Sequence, residues 1–199
     1  MEKSLREVVA ILKSGGVIVY PTETVYGLGG NAFEERAVNK IIKIKSRRES
    51  KPLIILVKDF EMAERLCEIS RFERVLKRYW PGALTGIFKA KVPFSEGVIS
   101  KEGAVALRVS AHPFVEELFK SIDFPLISTS ANRSGGKACL NIEQVKRSLA
   151  VTYELVDFTI DGGELPSSLP STLVNSTITP PKILRQGVVN FSLDFTVHR

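Results

Sequence analysis

Gly15-Gly16-Val17-Ile18-Val19-Tyr20-Pro21-Thr22-Glu23-Thr24-Val25-Tyr26-Gly27-Leu28-Gly29-Gly30 is the stretch on which the fold turns. The apolar residues Val17 to Tyr20 are too few for a helix, so they read as a short buried strand stopped by Pro21. Ahead of them, Leu5, Val8, Val9 and Leu12 share one helical face behind Ser4-Leu5-Arg6-Glu7. That tetrad is a capping box, which predicts a helix opening at Ser4 and closing at Gly15-Gly16. After Pro21, Thr22, Glu23, Thr24 and Tyr26 place hydroxyls and a carboxylate among glycines that permit positive φ and close approach of a ligand. The plain alternative is a strand-to-helix turn with polar decoration. The order of a P-loop is absent, and no Gly-x-Gly-x-x-Gly follows a strand.

Outward from this stretch, helices and strands alternate without internal repeats. Helices are predicted near 34–45, 59–67, 70–79, 113–120 and 141–149; strands near 53–57, 84–88, 104–109, 126–129, 156–160, 172–174 and 183–184. Asn141 and Gln144 look like a cap, and Ser70-Arg71-Phe72-Glu73 like a second capping box. Short strands among helices argue an α+β fold with α/β-like character: a mixed, twisted β-sheet covered by helices. The strand-rich last third repeats no βαβ unit. One domain over 1–199 is expected.

Composition narrows the function classes. Across 199 residues, 44% hydrophobic and 25% charged content excludes global disorder. No apolar run approaches the roughly 20 residues of a membrane-spanning helix, and the start lacks the pattern of a secretory signal. Cys67 and Cys139 cannot make a disulfide framework, which suits a reducing, cytoplasmic setting. His112 and His198, the two histidines, exclude a multi-His metal site. No metal ligands are expected from the chain. His112, before Pro113, reads as a capping or packing residue, Trp80 before Pro81-Gly82 as a structural plug, and Cys67 as core.

Net charge is +6, and the segment from Lys40 to Lys51 carries six cations against Glu49. Such a run is either solvated at a helix end or held together by an anion, a triphosphate or an RNA backbone. Ser128-Thr129-Ser130-Ala131-Asn132-Arg133-Ser134-Gly135-Gly136 follows a short apolar strand and offers hydroxyls, an amide and backbone N–H groups to a polar ligand. Arg108 lies inside the apolar run Val105–Val109, and Arg185 poses a similar question beside Ile183-Leu184. Each requires a cavity-facing anion or a carboxylate of the chain.

Taken in order, these segments resemble the YrdC family of threonylcarbamoyl-AMP synthases, over about residues 15–187 and excluding the tail 188–199. The resemblance rests on Pro21–Gly29, on Lys45-x-Arg47 followed by Lys51-Pro52-Leu53, and on Trp80-Pro81-Gly82-x-Leu84-Thr85. Val105–Val109, Ser130-Ala131-Asn132-x-Ser134-Gly135, Asp161-Gly162-Gly163, Ser171-Thr172 and Leu184-Arg185-x-Gly187 complete it. It implies the short, single-domain form of the family, with a basic concave face. It implies that L-threonine, bicarbonate and ATP give threonylcarbamoyl-AMP and pyrophosphate, with Mg²⁺ on the ATP and no tightly bound cofactor. The product would pass to the transferase machinery that makes N6-threonylcarbamoyladenosine on tRNA; no membrane is involved. Carried over by residue, Thr24, Arg108, Ser130 and Ser171 would contact threonine. Arg47, Lys51, Asn132 and Arg185 would contact ATP, and Lys45 with Arg47 would form the catalytic pair. Leu56 replaces a histidine common in the family, Ala104 and Leu140 replace threonines, and Pro170 and Asn175 replace Glu and Asp. The reading from another class is a module binding tRNA or double-stranded RNA through its basic face without catalysis.

Overall fold

The computed structural model describes residues 2–46, 52–167 and 169–191. In chain order come α1 (Glu2–Lys13), β1 (Ile18–Tyr20), β2 (Gly27–Gly29), α2 (Glu35–Ile44) and β3 (Ile54–Leu56). Then follow α3 (Phe60–Leu66), α4 (Glu73–Leu76), β4 (Leu84–Lys89), β5 (Ala104–Arg108) and α5 (Pro113–Leu118). The rest are β6 (Leu126–Ile127), β7 (Thr129–Ser130), α6 (Ile142–Leu149), β8 (Phe158–Thr159), β9 (Thr172–Asn175) and β10 (Lys182–Arg185).

The mixed sheet expected from the sequence is realised as two. One has the order β7-β2-β1-β8, the other β10-β9-β4-β5-β3-β6. Parallel pairs (β1 with β8, β3 with β5, β4 with β9) are mixed with antiparallel ones in both sheets, as an α+β fold allows. The segment from Leu126 to Ser130 belongs to both sheets. Its first half pairs with β3 and its second with β2, while Ile127 N–H donates to Gly30 O and Ser128 N–H to Ile54 O. This shared strand holds the two sheets in one body.

Why these residues make these elements is plain at several points. Ala37, Val38, Ile41 and Ile44 of α2 recur at helical spacing and are all buried. Asp59 caps α3 by accepting from Met62 N–H, and Asn141 caps α6 by accepting from Gln144 N–H, each worth about 1 kcal/mol. Gly15 has φ +75°, which closes α1 while Gly16 N–H donates back to Ile11 O.

Three local expectations are corrected. Helix α1 already runs at Glu2, so Ser4 lies inside it rather than capping it. Ser70 opens a 3₁₀ turn, Ser70–Phe72, and its hydroxyl contacts Glu64 instead of capping a helix. Gly27 and Gly29 lie in a strand, and neither has positive φ. Their small size answers to Tyr20, which stands opposite Gly27 in the ladder. A Cβ on Gly29 would come within 2.7 Å of the Tyr20 ring. The glycines are there because an aromatic ring covers them.

Candidate functional site

The loop joining β1 to β2 carries Thr22, Glu23 and Thr24 to the end of β5. Thr22 is folded on itself: its hydroxyl donates to Val25 O and meets the Thr24 hydroxyl at 3.1 Å. That local turn projects Glu23 across to the other sheet. There Oε2 accepts from the Ser110 hydroxyl at 2.7 Å, and Oε1 accepts from Ala111 N–H at 3.0 Å. Arg108, 7% exposed at the end of β5, brings Nη2 to 2.7 Å from the same Oε1. The contact is an ion pair out of line for a hydrogen bond, so Nη2 has no aligned acceptor among the described residues. Arg108 Nε donates to Gly82 O at 2.9 Å, which orients the guanidinium plane.

Burial alone would raise the Glu23 pKa. The Arg108 charge, the Ser110 hydroxyl and the Ala111 N–H together outweigh it and hold the carboxyl below its ordinary value. Tyr20, fully buried nearby, has its phenol pushed upward by burial. His112 Nδ1 accepts from Phe114 N–H and caps α5 as expected, and burial pushes its pKa down.

Beside this pair stands a second group. The Ser171 hydroxyl, just before β9, meets the Thr85 hydroxyl at 2.8 Å, and both residues are buried. Arg185 on β10 donates from Nε and Nη2 to Ser171 O, at 3.1 and 2.9 Å, and from Nη2 to the Ser171 hydroxyl. Burial first, and then the charge of Arg108, lowers the Arg185 pKa. Two guanidinium groups therefore share one neighbourhood with the carboxylate of Glu23.

The third group lies across the smaller sheet. Lys45, at the end of α2 and 4% exposed, donates from Nζ to Ser130 O and, at 2.9 Å, to Asn132 O. Its own carbonyl accepts from Ser134 N–H. Asn132 donates to Arg133 O and Gly136 O, while its buried Oδ1 has no partner among the described residues. Ser130 pairs with Gly27, and Gly27 with Tyr20, so this loop and the Glu23 loop flank the same short sheet.

The structure thus gathers Arg108, Ser171 and Arg185 with the loop of Thr24, and sets Lys45, Ser130 and Asn132 on the adjoining loop. Arg47 and Lys51 lie outside the described residues. The cationic run is also less uniform than the sequence suggests. Lys40 pairs with Asp157 at 2.6 Å, Lys45 turns inward, and Lys43 is exposed. Glu23, Ser110 and Thr85 join the site without having been assigned to it. Glu23 has a signal in the sequence, as a carboxylate in the polar loop where Arg108 needs an anion, and Thr85 has one as the end of the Trp80–Thr85 motif; Ser110 has none.

Among the described residues, no group of three or more His, Cys, Asp or Glu side chains could hold a metal ion, and no helix is long and apolar enough to cross a membrane.

Comparison with known proteins places this arrangement. The threonylcarbamoyl-AMP synthase of Pyrococcus abyssi (strain GE5 / Orsay) is 35% identical over 188 residues, covering 94% of this chain and 54% of that protein. The chain thus spans about half the length of that relative. It spans the whole of the threonylcarbamoyl-AMP synthase of Vibrio vulnificus (strain YJ016), 34% identical over 192 residues and 94% of this chain. The crystal structure of P. abyssi Sua5 complexed with L-threonine superposes with a TM-score of 0.86 at 33% identity, over 94% of this chain and 55% of that one. The Sua5/YciO/YrdC family model, described as "Telomere recombination", matches residues 10–187. With the two-sheet fold and the Glu23–Arg108 loop crossing inside that span, the chain belongs to the Sua5/YciO/YrdC family.

Proposed function

We propose that this chain is a threonylcarbamoyl-AMP synthase acting on L-threonine, bicarbonate and ATP. The observation that carries the reading is Arg108: a buried guanidinium with Nη2 lacking an aligned acceptor, beside a second guanidinium and a cluster of hydroxyls. Glu23 is its counter-charge, yet this buried donor has no aligned acceptor among the described residues, and the carboxylate of an amino acid supplies one. Relatives of similar length carry the same activity in their names.

The threonine amine, once deprotonated, adds to carbon dioxide from bicarbonate and forms a carbamate. A carbamate oxygen then attacks the α-phosphorus of ATP; the bond to the bridging oxygen breaks and pyrophosphate leaves. Such transfer depends on positioning and on charge stabilisation, with no protein nucleophile. Thr24, Arg108, Ser130 and Ser171 hold threonine in this reading. Asn132 and Arg185 hold ATP together with Arg47 and Lys51. Lys45 acts by fixing the carbonyls of Ser130 and Asn132, which sets the loop that faces the nucleotide; Arg47 completes the catalytic pair. Magnesium arrives on the ATP phosphates. The product passes to a tRNA-modifying transferase in the cytoplasm, with tRNA as a further contact of the exposed cations.

The experiment is pyrophosphate release from ATP, Mg²⁺ and bicarbonate with and without threonine. Threonine-dependent release is expected. Folded protein that shows none, while binding RNA tightly, would replace this reading with the non-catalytic RNA-binding one.

A further inference from the structure

We infer that Glu23 is a specificity-determining residue that accepts the α-ammonium group of the amino-acid substrate, so that Glu23 and Arg108 together read a zwitterion. The inference rests on the reading of this site as one that binds threonine. It goes further in assigning the amine a partner.

The geometry is as follows. Glu23 uses Oε1 for Ala111 N–H and the Arg108 contact, and Oε2 for the Ser110 hydroxyl. A carboxylate has about four lone-pair directions, so one remains on Oε2. The Glu23 side chain is 21% exposed against 8% for Arg108, so the pair shows its acid to the open side of the site. Arg108 Nη2, buried and without an aligned acceptor, presents the matching donor. An α-amino acid carries its cation and anion on one carbon. Laid antiparallel along the Glu23–Arg108 pair, each of its charges meets the opposite one.

Electrostatics require such an acid. Arg108 and Arg185 lie close enough that the charge of one lowers the pKa of the other. A substrate ammonium entering between two guanidinium groups is repelled unless a carboxylate offsets them. Glu23 is the acid in contact with Arg108, and its pKa direction keeps it ionised near neutrality. The same contact discriminates. A compound with a hydroxyl in place of the amine forfeits a charge-assisted bond and leaves the carboxylate of Glu23 beside an added anion.

The test compares L-threonine with its deaminated analogue, 2,3-dihydroxybutyrate of matching stereochemistry, by titration calorimetry near neutral pH. The wild-type chain should bind threonine at least about tenfold more tightly than the analogue. In Glu23→Gln, with the fold checked by its melting curve, that preference should fall by about tenfold as threonine weakens and the analogue does not. Should Glu23→Gln not fold, Glu23→Asp carries the test: retracting the carboxylate by one methylene should cut the preference at least threefold, by the same loss of a charge-assisted bond. A wild type that binds the two compounds equally, or a folded variant that keeps the full preference, overturns the inference and leaves Glu23 as a tie for Arg108. A folded wild type that binds neither compound overturns the threonine reading itself, and this inference with it.

Discussion

Glu23 Oε1 lies 2.7 Å from Arg108 Nη2, so a loop of the smaller sheet meets a strand of the larger one. Glu23 is carried by the loop between β1 and β2, Arg108 by the last position of β5. The pair therefore does two things at once: it ties the sheets together beside the site, and it sets a counter-charge against a buried guanidinium. Removing either partner leaves the other poorly solvated. Arg108→Ala should lower stability by about 2–4 kcal/mol and weaken threonine binding, and Arg108→Ala/Glu23→Ala should be less unstable than the sum of the single variants. Denaturant titrations of the four proteins measure the coupling. Strict additivity would show that the contact contributes nothing.

The same pair sets an acid dependence. The folded Glu23 carboxyl titrates below its ordinary 4.5, so its stabilisation is complete above that value and is lost as pH falls through the depressed one. His112, which feels the charge of Glu23, has its own pKa lowered by burial and adds no positive charge above its ordinary 6.5. The stability difference between wild type and Glu23→Gln should be flat above about pH 7 and shrink from about pH 5 downward. Urea titrations across that range check it. A difference undiminished at about pH 3 would mean that Arg108 does not hold the carboxyl ionised.

Lys45 offers a test of the neighbouring loop. Its Nζ supplies the donors for Ser130 O and Asn132 O, and Lys45→Met would leave one part-buried and one buried carbonyl without them. A loss of about 2–4 kcal/mol follows. Hydrogen exchange at Ser134, whose N–H is held by Lys45 O, should quicken. Unchanged exchange there would show that the lysine does not order the loop. ATP affinity should fall with it.

Gly29 tests the floor of the site. A methyl group there would stand 2.7 Å from the Tyr20 ring, closer than carbon atoms approach. Tyr20 is fully buried and cannot swing clear. Gly29→Ala should cost about 1–3 kcal/mol, with the larger effect if the ring moves the Glu23 loop. Thermal melts and threonine titration together would tell. A variant as stable as wild type would show that the ring yields freely.

The helices and most strands were legible in the sequence because their signals are local. Asn141 predicts the start of α6 from its own side chain, and the apolar residues Ala37, Val38, Ile41, Ile42 and Ile44 predict the inward face of α2, of which Ile42 is only half-buried. The motif order carried the family, and with it Thr24, Arg108, Ser130 and Ser171 as candidates. Sheet partners were not legible. Nothing local in Leu126–Ser130 says that five residues serve two sheets, since that depends on hydrogen bonds to Ile54 and Gly30, distant in the chain. The glycines of the first loop escape a local reading for the same reason: their small size answers to Tyr20 across a ladder rung, not to a turn. That Arg108 needs an anion is readable along the chain, because a guanidinium in an apolar strand cannot stay unpaired. That Glu23 meets it is a property of the folded molecule, because pairing between residues 85 positions apart is set by how two sheets are joined and not by any spacing along the chain.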